Sequence, residues 1–61
     1  MSRKDFVALT NNLRELYVVY ERDPEKALVV EKAARAVASA CEEANERFDF
    51  NKFLAACGVP S

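Results

Sequence analysis

Hydrophobic residues in the first third of the chain repeat at alternating spacings of three and four residues. The row consists of Phe6, Leu9, Leu13, Leu16 and Tyr20. This spacing matches the a and d positions of a heptad, which pack against a neighbouring helix at about +20°. Ser2, followed three residues later by Asp5, is typical of a helix start. The pattern therefore predicts a first helix over about residues 3–22.

A second helix is predicted over about residues 24–45. Asp23 can cap its start, Pro24 suits the first helical position, and Glu25 favours the positive end of the helix dipole. The connection to the first helix is very short, so we expect the two helices to form an antiparallel hairpin. The apolar face of the second helix consists mostly of small residues: Val30, Ala33, Ala34, Val37, Ala38, Cys41 and Ala44.

A short third helix is predicted over about residues 50–57. Asp49 can cap it, with Phe48 and Phe53 in the positions of a hydrophobic staple. Gly58 can take the left-handed conformation that ends a helix, and the following Val59 can then contact Leu54. The apolar face of this helix consists of Phe50, Phe53, Leu54 and Cys57. We expect it to cap the open end of the hairpin near Phe6 and Leu9.

The whole chain, residues 1–61, is thus predicted to be one all-α domain that needs help to be stable. A domain of this length buries only about 60% of its unfolded surface. Cys41 and Cys57 are the only cysteines and there is no histidine, so we expect neither a disulfide framework nor a structural metal site. Oligomerisation remains as the source of added stability. The same cysteine content and the lack of a signal-peptide pattern predict a reduced, cytoplasmic setting.

Composition removes several classes of function. Without histidine the chain lacks the commonest general base and the commonest metal ligand, and one glycine cannot build a phosphate-cradling loop. We therefore expect no enzyme activity and no cofactor. The longest apolar run, residues 16–20, is far shorter than the roughly 18 residues of a membrane span. The net charge of −1 does not favour nucleic-acid binding.

Apolar residues surround both helices where the predicted hairpin turns, and a single hairpin cannot bury all of them. We interpret this hairpin tip as the interface with a second copy or with another protein. The residues predicted to form it are Leu16, Tyr17, Val19, Tyr20, Leu28 and Val29. Two alternatives stay open: the third helix folds over the tip, or scattered valines are simply exposed.

Acidic residues gather around the end of the second helix: Glu42, Glu43, Glu46 and Asp49. They are a candidate docking patch for a basic partner, a weak cation site or a mimic of a phosphate backbone. Alternatively, they form a solvated face on which Glu43 pairs with Arg47 four residues later. Basic residues, among them Arg3, Lys4 and Arg14, are scattered, and Arg35 can pair with Glu31.

Three functions follow from these observations. We expect an accessory protein that binds a second protein and self-assembles into a homo-oligomer. The alternative is a small-ligand or nucleotide-binding protein whose pocket forms between subunits, with arginine and tyrosine side chains holding a planar anion. A nucleic-acid binder is the third possibility.

The two ends of the chain resemble a group of very small, mostly uncharacterised proteins encoded by tailed phages and prophages. The resemblance rests on Met1-Ser2-Arg3-Lys4-Asp5-Phe6 at the start, and on Asn45-Glu46-Arg47-Phe48-Asp49 with Phe53-Leu54-Ala55-Ala56-Cys57-Gly58 near the end. It covers about a third of the chain. It implies a phage or prophage setting inside a bacterial cell, with a host or phage protein as partner, and it assigns no catalytic or binding residue.

Overall fold

The computed structural model describes residues 2–60, and this part of the chain forms three α-helices and no strand. Helix α1 spans Arg3–Tyr20, α2 spans Pro24–Ala44 and α3 spans Phe50–Ala56. The predicted all-α class is confirmed. Helix α1 ends two residues before the predicted boundary, because the chain already turns at Glu21 and Arg22.

Each helix begins with the same capping arrangement. The Ser2 hydroxyl accepts a hydrogen bond from the backbone N–H of Asp5 at 3.2 Å. The Asp23 carboxylate accepts one from the N–H of Lys26 at 3.3 Å, and the Asp49 carboxylate accepts one from the N–H of Lys52 at 3.0 Å. Such caps stabilise a helix by about 1 kcal/mol each. The local sequence therefore sets where all three helices start.

Helices α1 and α2 lie side by side and antiparallel, joined by residues 21–23. Tyr17 links them, since its hydroxyl donates a hydrogen bond to the Glu31 carboxylate at 3.4 Å. Because α1 ends at Tyr20 and α2 begins at Pro24, residues whose numbers add to about 44 lie at about the same height along the hairpin. This register places Phe6 beside Ala38, Thr10 beside Ala34 and Tyr17 beside Ala27, all of which are buried or half-buried.

Helix α3 ends in a Schellman motif. Gly58 takes a φ of +77°, in the left-handed region that favours glycine. Its N–H donates to the Ala55 carbonyl and the N–H of Val59 donates to the Leu54 carbonyl, both at 3.0 Å. The predicted stop at Gly58 is confirmed. It turns the chain so that Val59 is buried in the core.

The core lies where α3 packs onto the hairpin, and large α3 side chains there fill the space above small α2 residues. Its buried members are Ala34, Ala38, Phe53, Leu54, Cys57 and Val59. The Phe53 ring contacts those of Phe6 and Phe48, with centroids 5.5 and 5.4 Å away. The expected packing of α3 on Phe6 is thus confirmed. Leu9, which we expected beside it, remains 36% exposed.

The predicted hydrophobic row of α1 is wrong at Leu9 and Leu16, both of which are exposed. The side chains that face the other helices are instead those of Phe6, Thr10, Leu13 and Tyr17. Helix α1 contacts both α2 and α3, so its inward direction falls between the two neighbours rather than pointing at α2 alone. Thr10 fits this position because its hydroxyl donates to backbone carbonyls of its own helix, those of Phe6 and Val7.

The predicted face of α2 is confirmed at Val30, Ala34 and Ala38, but Ala33 and Ala44 are exposed.

The two predicted ion pairs are wrong. Within residues 2–60, the salt bridge found is that between Lys26 and Asp23, 3.9 Å apart. Glu31 accepts the Tyr17 hydroxyl and Arg35 donates to the Pro60 carbonyl. For Glu43 and Arg47 the reason is that α2 ends between them.

Candidate functional site

Large apolar side chains remain exposed on both long helices. Within residues 2–60 they are Val7, Leu9, Leu16, Val18, Val19, Leu28 and Val29. The most exposed are Val19 at 68% and Val29 at 65%. A small protein that leaves such side chains in water has an apolar surface that a partner can cover.

Helix α3 covers one side of the hairpin only. Its end lies beside Arg14 of α1, whose Cγ is 3.9 Å from the position of a Cβ built on Gly58. Two residues after Gly58, the backbone carbonyl of Pro60 accepts a hydrogen bond from the Arg35 side chain of α2 at 3.0 Å. Arg14 and Arg35 thus mark the flank of each long helix that faces α3. Within the described residues 2–60, no third helix lies over the opposite flanks.

Successive residues of an α-helix are rotated by about 100°, and this rotation places the other side chains around each axis. On α1, Leu9, Leu16 and Val19 fall on the flank opposite Arg14, across the inward row. On α2, the flank opposite Arg35 carries Val29, Ala33, Ala36 and Ala40. All seven are exposed, and we call them together the open face.

The open face has a ridge on α1 and a groove on α2. The register of the hairpin places Leu16 near the height of Val29, and Leu9 near that of Ala36. The three alanines of α2 thus lie beside the half of α1 that carries Leu9. A separate shallow depression on α1 itself, lined by Asn12, Glu15, Leu16 and Val19, has a volume of about 280 Å³.

The six residues predicted from the sequence to form one interface lie on different surfaces of the structure. Leu16, Val19 and Val29 belong to the open face. Leu28 is 48% exposed but falls on the flank that α3 occupies further along the hairpin. Helix α3 does not cover the tip, since Val18, Val19, Leu28 and Val29 all remain exposed.

The two tyrosines of the predicted interface are half-buried within the monomer. Tyr17 packs against the core, and burial together with the nearby Glu31 carboxylate raises its pKa above 10.0. Tyr20 faces the Lys26 ammonium, 5.5 Å from the ring centroid, in a cation–π arrangement. Both tyrosine side chains thus form contacts between α1 and α2 within one subunit.

Residues of the open face that sequence reasoning missed are Leu9, Ala33, Ala36 and Ala40. The sequence pattern predicts buried positions for Leu9 and Ala33 and places Ala36 and Ala40 on no particular face. The signal was present in α1, where Phe6, Thr10, Leu13 and Tyr17 also follow steps of four and three. Two rows with helical spacing on one helix indicate two contacts rather than one.

The acidic residues Glu42, Glu43, Glu46 and Asp49 are all exposed. Within residues 2–60, no three Cys, Asp or Glu side chains come together in a way that could hold a metal ion. Asp49 is occupied by capping α3. These four residues therefore do not form a metal-binding cluster, and their role as a docking patch stays a prediction.

None of the helices described within residues 2–60 has the length and apolar content needed to cross a membrane.

Comparison with known proteins leaves the open face as the main functional clue. No protein-family model, curated protein or solved structure matches the chain.

Proposed function

We propose that this protein is a small interaction module that dimerises through the open face and binds a further protein with the surface left free. The proposal is supported above all by the ridge of Leu9, Leu16 and Val19, which no other part of the described chain covers. Helices with two apolar flanks are normally buried on both.

A second copy of the chain fits the open face because that face is complementary to itself. In a two-fold dimer the same patch of both subunits meets, and each residue pair occurs twice. The leucine ridge of one α1 then packs into the alanine groove of the other α2, and the reverse. Small residues at that groove let the helices approach closely, and the two hairpins form a four-helix arrangement.

The seven residues of the open face span about 16 Å along each helix, and two packed helices are about 20 Å wide. The open face therefore projects about 300 Å² and forms the apolar centre of an interface, with the polar residues around it as the rim. Burying it also supplies the stabilisation that a chain of this length needs.

A dimer of this kind leaves Val18 and Leu28 in water, since they lie away from the open face. We propose this second surface, at the hairpin tip, for the partner protein. A host or phage protein in a bacterial cytoplasm is proposed as that partner, on the resemblance of the chain ends. Binding there would be additional to self-association and would not depend on the same side chains.

The test compares neighbouring valines on different flanks of α1. Val19→Asp places a carboxylate on the open face, where dimerisation would bury it at a large cost, so this variant is expected to be monomeric. Val18→Asp is the matched control and is expected to remain dimeric. Sedimentation equilibrium at about 100 μM, well above a micromolar dissociation constant, is expected to give twice the 6.9 kDa of one chain for the unmodified protein.

Circular dichroism of both variants shows whether helices are retained. A stable, folded monomer for the unmodified protein at this concentration contradicts the proposal. So does a Val19→Asp variant that stays dimeric. For the second surface, Leu28→Asp is expected to keep the dimer while losing a partner captured by the unmodified protein from its host cell, with Val19→Asp examined in parallel.

A further inference from the structure

A cleft of about 600 Å³ lies at the end of the molecule away from the connection between α1 and α2. It is formed by the start of α1, the α2–α3 connection and the first turn of α3. The lining residues that matter here are Arg3, Phe6, Arg47, Phe48, Asp49 and Lys52. The open face lies along the hairpin and does not include any of them.

The cleft is basic although the chain as a whole is slightly acidic. Within residues 2–60, its lining holds the cations of Arg3, Arg47 and Lys52 and the single carboxylate of Asp49. That carboxylate is engaged with the backbone N–H of Lys52. None of the three cations forms a salt bridge with a described residue. Three positive side chains around one cavity attract an anion.

The apolar part of the cleft is aromatic and firmly held. Phe6 and Phe48 are half-buried, with ring centroids 6.1 Å apart. Beneath them the fully buried Phe53 contacts both rings. The exposed parts of Phe6 and Phe48 therefore offer a fixed surface on which a flat ring can pack.

We infer that this cleft binds a small anion that carries a planar ring, of the kind represented by a nucleoside monophosphate. The guanidinium groups and the ammonium group hold the phosphate by charge-assisted hydrogen bonds. The ring packs against the phenylalanines, as bases do on aromatic side chains. A volume of about 600 Å³ lies within the usual range of small-molecule pockets.

The test uses AMP as the probe and NMR of the ¹⁵N-labelled protein as the readout. Titration is expected to shift amide signals of residues 2–7 and 45–52 and to saturate. Adenosine and inorganic phosphate, each carrying half of the chemistry, are expected to bind at least tenfold more weakly than AMP. The double variant Arg47→Gln, Lys52→Gln is expected to lose at least tenfold in affinity, which is about 1.4 kcal/mol.

Both substituted residues are exposed and keep their backbone hydrogen bonds, so the double variant should fold as before. Lys32→Gln is the matched control, since Lys32 is an exposed cation of α2 outside the cleft, and it should bind AMP normally. Absence of saturable shifts at 5 mM AMP, well above the millimolar affinity that corresponds to about −4 kcal/mol, overturns the inference. Equal binding of phosphate and AMP, or equal loss in the Lys32 control, overturns it as well.

The cleft is built within one chain and so is independent of dimerisation. The monomeric Val19→Asp variant is expected to bind AMP as tightly as the unmodified protein. A loss of AMP binding in that folded variant would contradict a cleft that one chain completes alone. The outcome for the cleft thus stays separate from that for the open face.

Discussion

Cys41 and Cys57 are both free thiols, and they differ in their access to water. Cys57 is fully buried between α3 and the hairpin, whereas Cys41 on α2 is only partly buried. Burial raises the pKa of the Cys57 thiol above its ordinary value of 9.0, because a thiolate is poorly solvated there. The reactive form of a cysteine is the thiolate. Burial therefore lowers the reactivity of Cys57 in two ways, by blocking access to the sulfur and by disfavouring the thiolate.

Alkylation should therefore distinguish the two cysteines. In the native protein at pH 8 we expect iodoacetamide to modify Cys41 at least about tenfold faster than Cys57, since both access and thiolate formation disfavour Cys57. Mass spectrometry of the two cysteine-containing peptides over time gives the rates. In 8 M urea, well past the transition of a small domain, the rates should become similar. Similar rates in the native protein would contradict the packing of Cys57.

At the scale of elements, α3 is the one that most needs its surroundings. An isolated helix of seven residues is not stable in water. Here α3 is held by the Asp49 cap, by burial of Phe53 and Leu54, and by the Schellman motif at Gly58. The same helix and the residues just after it supply four of the six buried core residues, and its first turn forms one wall of the cleft. Its termination therefore affects both stability and the proposed ligand site.

Gly58→Ala tests the importance of that termination. The added Cβ meets only ordinary contact with Arg14, at 3.9 Å, so the cost comes from the left-handed backbone. We expect the free energy of unfolding to fall by about 1–2 kcal/mol. Gly58→Asn should cost less, because asparagine tolerates this conformation better. Urea titration at one fixed protein concentration measures both, and an Ala variant as stable as the original would argue against the motif.

At the scale of the whole molecule, the buried core is small and the uncovered apolar surface is large. The core cluster contains six buried residues within the described chain, and two of them are alanines. The seven residues of the open face are exposed to water in the monomer. Dimerisation would convert that surface into additional core, and stability would then depend on protein concentration.

The melting temperature should show this dependence. Raising the chain concentration from 5 to 500 μM adds about 2.7 kcal/mol of mass-action stabilisation, so we expect the melting temperature to rise by roughly 5 °C or more. Calorimetry or circular dichroism at the two concentrations measures the shift. The Val19→Asp variant should melt at the same temperature at both. A constant value for the unmodified protein would indicate a self-sufficient monomer.

Local chemistry in the sequence determined the helices themselves. Asp23 with Pro24, Asp49 with its flanking phenylalanines, and Gly58 act on backbone groups a few residues away, so their effect can be predicted without the fold. The apolar residues at the hairpin tip were also recognisable as more than one hairpin can bury. The predicted row through Leu9 and Leu16 failed because two apolar rows run along α1 and periodicity alone does not say which one faces inward.

Only the tertiary structure made that choice. Helix α3 packs against one flank of the hairpin, which turns Thr10 and Tyr17 inward and leaves Leu9 and Leu16 on the open face. The cleft likewise joins Arg3 to Arg47 and Lys52, more than forty positions apart in the sequence. Rotation of a helix and proximity across the chain depend on which surfaces bury the most apolar area together. The total apolar area buried is determined only when all three helices are packed together.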